Sequence, residues 1–140
     1  MDREISQNAK SPENPFARDK IPGNERLLCI DAKSGKLIWA KSYDCDYTIS
    51  YSAGPRATPL IEKERIYTLG AEGNLLCRKI SDGSTIWTAD FNTTFNTKTP
   101  IWGFSASPLI YGELLICLAG GQGSVAVAFD KLTGKEKWRS

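Results

Sequence analysis

The sequence predicts an all-β fold assembled from copies of one four-stranded unit, and three observations carry that expectation. The first is a turn segment that occurs three times without gaps, from Cys29 to Trp39, Cys77 to Trp87 and Ala128 to Trp138. The second is its spacing: the tryptophans that close the three copies lie 48 and then 51 residues apart. The third is another landmark within the period. Arg56-Ala57-Thr58-Pro59-Leu60-Ile61 returns 49 residues later as Ser105-Ala106-Ser107-Pro108-Leu109-Ile110.

The turn is readable residue by residue. Each copy places a glycine four residues before its tryptophan (Gly35 and Trp39, Gly83 and Trp87, Gly134 and Trp138). Glycine enters the positive-φ region that such a turn requires without a Cβ clash. Asp31 and Asp130 are placed to accept hydrogen bonds from turn N–H groups, assisted by Ser34 and Thr133. The middle copy has Lys79 in place of that aspartate and Asp82 beside its glycine, which reads as a plain Asp-Gly hairpin. Around the turn the middle unit divides into strands over 57–61, 65–69, 75–79 and 85–91, separated by turn signals at 62–64, 72–74 and 81–84. The third unit repeats the two inner strands over 114–120 and 124–130.

Four-stranded units with a period of about fifty residues are the blades of a β-propeller. A solenoid has shorter repeats, and an immunoglobulin-type sandwich does not repeat its turn sequence. The chain then holds about two and a half blades: an outer half-blade over 27–43 and two blades over 57–91 and 105–140, with 1–26 an exposed loop or insertion rich in Pro, Asn and charge. A buried tryptophan removes about 150–250 Å² from water, roughly 4–6 kcal/mol gross. One per blade, wedged against its neighbour, stabilises the blade-to-blade interface.

Composition excludes several function classes. The 140 residues are 41% hydrophobic and 24% charged, as in a globular protein. Apolar runs such as 114–119 are far short of the roughly 18–20 residues that cross a bilayer, so no membrane span is expected. A net charge of +2 without a basic stripe gives no reason to expect a nucleic-acid partner. Histidine is absent, which removes Ser-His and Cys-His nucleophile pairs, His-ligated zinc and imidazole bases. Carboxylates, lysine and tyrosine remain as acid–base groups. Cys29, Cys45, Cys77 and Cys117 contain no Cys-x-x-Cys pair. Cys29 and Cys77 occupy the same repeat position and read as small buried apolar residues, with disulfides as the alternative. Residues 1–10 carry no apolar h-region, so no signal peptide is expected there.

The turn resembles a known motif. Ala-x-Asp-x-x-Thr-Gly-Lys-x-x-Trp is the docking motif of the pyrroloquinoline-quinone (PQQ) repeat, and Ala128 to Trp138 matches every defined position. The first copy differs by Cys29 for Ala and Ser34 for Thr, and the second keeps Gly83 and Trp87. The resemblance covers roughly residues 25–140. The stretches Ala53-Gly54-Pro55-Arg56-Ala57-Thr58-Pro59 and Leu69-Gly70-Ala71-Glu72-Gly73-Asn74-Leu75 are similar to PQQ-like propellers of planctomycete type. The resemblance implies an eight-bladed, periplasmic or exported propeller of which this chain is a fragment. Both ends then read as cut, and the missing blades are the first partners. An isolated piece leaves unpaired strand edges and uncovered blade faces.

In such blades the outer-to-inner connections and the middle turns share the face of the central funnel. Here these are 44–56 and 91–103, with the turns 72–74 and 121–123. Loops carry function more often than strands, so Tyr51, Arg56, Glu72, Trp102 and Gln122 are the candidate ligand-binding residues. An arginine such as Arg56 can hold a carboxylate or polyanion bidentately, or simply pair with an acid at the blade edge. Trp102 lies outside the docking motif, but it and Tyr51 can equally pack in the funnel wall. Gly120-Gly121-Gln122-Gly123 is read as a β-turn because no helix follows it. Asn92-Thr93-Thr94 is a glycosylation sequon by pattern.

Two functions follow. One is a binding or protein-assembly scaffold, similar to the cofactor-free outer-membrane assembly lipoprotein of Gram-negative bacteria, with a protein or small molecule in the funnel. The alternative is part of a PQQ- and calcium-dependent quinoprotein dehydrogenase for alcohols or sugars, whose hallmarks include a vicinal Cys-Cys pair. The sequence contains no Cys-Cys and no motif that arranges acids as a calcium cage. No catalytic constellation is identified, no cofactor or metal is expected, and the scaffold is preferred.

Overall fold

The computed structural model describes residues 1–6, 14, 16–51 and 54–140. Most of the Pro-rich run 11–15, and Ala53 at the head of the Gly54-Pro55 stretch, lie outside the described residues.

The chain forms three antiparallel sheets, each a meander of neighbouring strands. The first contains β1 (Asp2–Ile5), β2 (Gly23–Ile30) and β3 (Leu37–Asp44). The second contains β4 (Leu60–Glu62), β5 (Arg65–Leu69), β6 (Asn74–Lys79) and β7 (Thr85–Asp90). The third contains β8 (Leu109–Tyr111), β9 (Leu114–Gly121), β10 (Ser124–Asp130) and β11 (Glu136–Arg139). These are propeller blades, and the fold is a propeller fragment.

The docking turns close alike. Gly35, Gly83 and Gly134 sit at φ +68°, +70° and +72°, and each N–H donates four residues back, to Asp31 O, Lys79 O and Asp130 O at 2.8–2.9 Å. Asp31 Oδ1 accepts from Ser34 N at 2.7 Å, and Asp130 Oδ1 from Thr133 N at 3.0 Å. Every sheet also shifts register at the same repeat step, after Cys29, Cys77 and Ala128, which face Trp39, Trp87 and Trp138 across the ladder. A bulge there bends the strand and re-aims the tryptophan.

The tryptophans then dock forward, each onto the turn of the next unit. Trp39 Nε1 donates to Ile80 O at 3.1 Å, and a Cβ on Gly83 would lie 2.8 Å from its ring. Trp87 Nε1 donates to Lys131 O at 3.1 Å, and a Cβ on Gly134 would lie 2.5 Å from its ring. Trp87 also packs on Phe129 and Tyr67 within the main core, which includes Leu69, Leu75, Cys77, Leu115, Cys117 and Val127.

Three expectations are corrected. Residues 1–26 are not simply a loop, because β1 pairs with β2 from Asp2↔Arg26 to Ile5↔Gly23, so the first sheet has three strands rather than two. A bidentate Arg26–Asp2 pair at 2.9 and 2.6 Å fastens this edge. The first strands of the second and third units begin at Leu60 and Leu109, after Pro59 and Pro108, whose missing N–H cannot serve a ladder. Thr58 N instead donates to Ser107 Oγ of the next unit at 3.0 Å. Finally, the connection after β7 opens with a short helix, α1 (Phe91–Phe95), capped by Asp90 accepting from Thr93 N at 2.8 Å. Phe91 is therefore not the end of a strand; it and Phe95 fill the core.

Candidate functional site

Two connections and the middle turn of the second unit meet at the end of the sheets where β3 and β7 finish. Ser50 N donates to Ile101 O, and Phe104 N donates to Ala71 O, both at 2.8 Å. Arg18 spans the same connections, with Nε on Thr48 O at 3.0 Å and Nη2 on Thr99 O at 2.6 Å. Such charge-assisted bonds to fixed carbonyls make loops behave as one body.

On this base stands an aromatic shelf. Tyr51 and Trp102 stack with centroids 5.6 Å apart and planes 15° apart, and Phe16 meets Trp102 edge-on at 6.0 Å. Tyr51 is 60% exposed and Trp102 48%, so the rings pack on one another yet face solvent. Trp102 also lines a cleft of about 390 Å³ with Pro100, Phe104, Leu118 and Val125.

Arg56 explains how the shelf keeps its shape. Its Nη1 donates to Gly54 O at 2.7 Å, and its Nη2 to Ser50 O at 3.0 Å and Tyr51 O at 2.6 Å. Expected to grip a ligand anion or an edge carboxylate, it clamps loop carbonyls instead. Tyr51 sits at φ +51°, a left-handed conformation that costs a bulky residue about 1–3 kcal/mol. The guanidinium fork holds the two carbonyls flanking that strain.

Glu72 is buried rather than offered to a ligand: its carboxylate accepts from the N–H and hydroxyl of Thr48, tying the first connection to the middle turn. Asn92 Nδ2 is engaged by Glu72 O and Thr99 Oγ1 at 2.9 and 2.8 Å, which places the sequon's amide inside the loop base. Gln122 is exposed in the turn between β9 and β10. The structure thus brings Tyr51, Arg56 and Trp102 together and gives Glu72 a structural task.

A buried polar cluster escaped the sequence reading. Glu25 on β2 is fully buried and accepts hydrogen bonds from the hydroxyls of Tyr43 and Tyr47 and from Ala71 N at 2.9 Å. The Arg3 guanidinium lies 3.5 Å above the Tyr47 ring, a cation–π contact. Burial, and then the charge of Glu25, pushes both phenols well above their ordinary range. Burial likewise raises the Cys45 thiol, and takes that of Cys117 to about 12. Through the Ala71 N–H, which donates to its carboxylate, Glu25 joins the first sheet to the middle turn of the second unit. One sequence signal pointed to it. In Gly23-Asn24-Glu25-Arg26-Leu27, the alternation that turns Leu27 inward also turns Glu25 inward.

Among the described residues no three His, Cys, Asp or Glu side chains gather as a metal-binding group. The two buried acids of the region, Glu25 and Glu72, already hold protein donors.

Comparison with known proteins agrees with the fold. The family described as outer membrane protein assembly factor BamB matches residues 23–140. The chain belongs to that PQQ-repeat family. Among solved structures, BamB from Moraxella catarrhalis superposes with a TM-score of 0.57 at 19% identity, covering 86% of this chain and 33% of that one. Quinohemoprotein alcohol dehydrogenase from Comamonas testosteroni gives 0.60 at 18% identity, over 86% of this chain and 19% of that one. A europium-containing methanol dehydrogenase gives 0.58 at 13% identity, over 85% and 22%. This PQQ-repeat chain therefore spans a third or less of the length of these solved structures, and at such identities the likeness is one of fold. No curated protein matches it in sequence. Among the described residues, no helix is long and apolar enough to cross a membrane.

Proposed function

We propose that this PQQ-repeat chain is a binding scaffold of a periplasmic or exported propeller, which holds a protein partner on the Tyr51–Trp102 shelf without a bound cofactor. The observation that carries the reading is the shelf itself: stacked, solvent-facing aromatics on a loop fixed by the Arg56 and Arg18 clamps. Large aromatics anchor protein interfaces because they bury much area at small entropic cost, and pre-ordering reduces that cost further. The family description as an assembly factor supports the same class. The dehydrogenase alternative draws on fold likeness alone.

Photo-crosslinking from position 102 in the producing cell is expected to give discrete protein adducts that fade when Arg56→Ala releases the loop. Titration with PQQ and calcium is expected to show neither stoichiometric quinone binding nor dye-linked alcohol oxidation. Tight binding with turnover overturns the scaffold reading in favour of the dehydrogenase.

A further inference from the structure

The second unit departs from its own repeat where its docking turn begins. The other two copies place Asp31 and Asp130 there, and both carboxylates accept from turn N–H groups. The second copy has Lys79 instead, and Asp82 serves the turn by accepting from Ser84 N at 2.8 Å. Lys79 is therefore not needed to shape the turn, and it is exposed. Two neighbouring positions change with it. Arg65, directly opposite Lys79 in the β5–β6 ladder, stands where the third unit has Leu114 opposite Asp130. Ile86 stands where the third unit has Lys137, whose ammonium reaches Asp130 at 3.2 Å. An internal ion pair in one unit is thus replaced in the other by two cations beside an apolar wall.

Like charges directly opposite on a ladder repel one another. Among the described residues neither Arg65 nor Lys79 makes an ion pair, and Arg65 Nη1 reaches the Cys77 sulfur at 3.8 Å. The Asp82 carboxyl, held low first by its bonds to Ser84, also feels the Lys79 charge without pairing with it. The two cations line a cleft of about 280 Å³ with Glu64, Ile80, Ser81 and Ile86. That is close to the lower end of small-molecule sites, roughly 300–1,000 Å³. Glu64 is exposed and pairs with neither cation. All the lining residues belong to the second unit, which has a neighbour on each face, so the cleft owes nothing to an uncovered blade. It lies at the docking-turn end of the sheet, away from the end where β7 finishes beside the Tyr51–Trp102 shelf.

We propose that this cleft is a separate binding site for a small organic acid, whose carboxylate bridges Arg65 and Lys79 while its apolar part lies against Ile80 and Ile86. A guanidinium fork matches a carboxylate, and the ammonium opposite supplies a second charge. The Ser81 hydroxyl is a further donor on the same wall. The bound anion relieves the repulsion between the two cations.

The test is calorimetric titration of the full-length protein with hexanoate, and with hexanol and acetate as the tail and the head alone. Saturable binding of hexanoate at this one site is expected, with hexanol and acetate each about tenfold weaker or more. Lys79→Asp installs the aspartate that the other two copies carry, so the turn keeps its shape, and it should weaken hexanoate about tenfold or more. Arg65→Leu installs the third unit's residue and should weaken it similarly. Thermal melts without ligand show which variant is folded, and either folded variant decides the role of its cation. Absence of saturable binding overturns the proposal, as does acetate or hexanol binding as tightly as hexanoate, or a folded variant that binds like the parent.

Discussion

Along β5 and β6 every residue from Ile66 to Leu69 and from Leu75 to Arg78 is buried, whereas along β9 burial alternates. Leu115, Cys117 and Ala119 are covered, while Leu118 is 52% exposed. The two sheets share their strand order and docking turns, so the difference comes from their neighbours. The second sheet has a blade on each face; the third is covered on the face that meets the second. A blade strand is a ribbon with two apolar sides, and only packing by adjacent blades turns both into core.

The largest expected effect lies where that packing is densest. Trp87→Ala removes a ring that bridges Tyr67 and Phe129 and leaves the Gly134 turn uncovered; it should cost about 3–5 kcal/mol in chemical denaturation. A loss as small as that from Trp138→Ala would break the comparison. Glu25→Ala comes next, at about 3 kcal/mol, because it strands two tyrosine hydroxyls and the Ala71 N–H in a buried site. Glu25→Gln, which keeps an acceptor, should recover much of that loss in thermal melts.

Leu69→Ala and Leu118→Ala sharpen the contrast at equivalent positions. The first should cost about 2–5 kcal/mol and the second less than about 0.5 kcal/mol, read from paired unfolding curves. Equal losses would mean that the outer face of the third sheet is covered in solution.

The smallest effect is a pH slope from a flanking turn. Thr133 N–H and hydroxyl, then Lys137, hold the Asp130 carboxyl at about 2. That lies below the roughly 3.9 of an unfolded aspartate. The stabilisation is therefore fully present above about pH 4 and is lost as pH falls through about 2. Asp130→Asn should flatten this acid limb in stability measured against pH.

Much of this was legible in the chain. The Gly–Trp spacing disclosed the repeat, and the middle-unit strand over 65–69 has the bounds of β5. What escaped notice depended on contacts distant in sequence. Residues 2–5 form a strand because β2 offers them a ladder and Arg26 meets Asp2 across 24 positions. Glu72 reads as a loop acid open to ligand, yet Thr48 from another segment occupies it. Arg56 gave no hint that its partners would be the carbonyls of Ser50, Tyr51 and Gly54 rather than an acid.

The sequence by itself determined the unit: its turn, its strand order and the tryptophan that joins one blade to the next. These are set by short-range requirements, a glycine at positive φ and side chains alternating along a strand. Tertiary structure alone decided which faces became core, which acids were consumed by protein donors, and that Tyr51 and Trp102 would share a shelf. Those outcomes depend on segments about fifty residues apart meeting at one end of the blades, a proximity that no local pattern encodes.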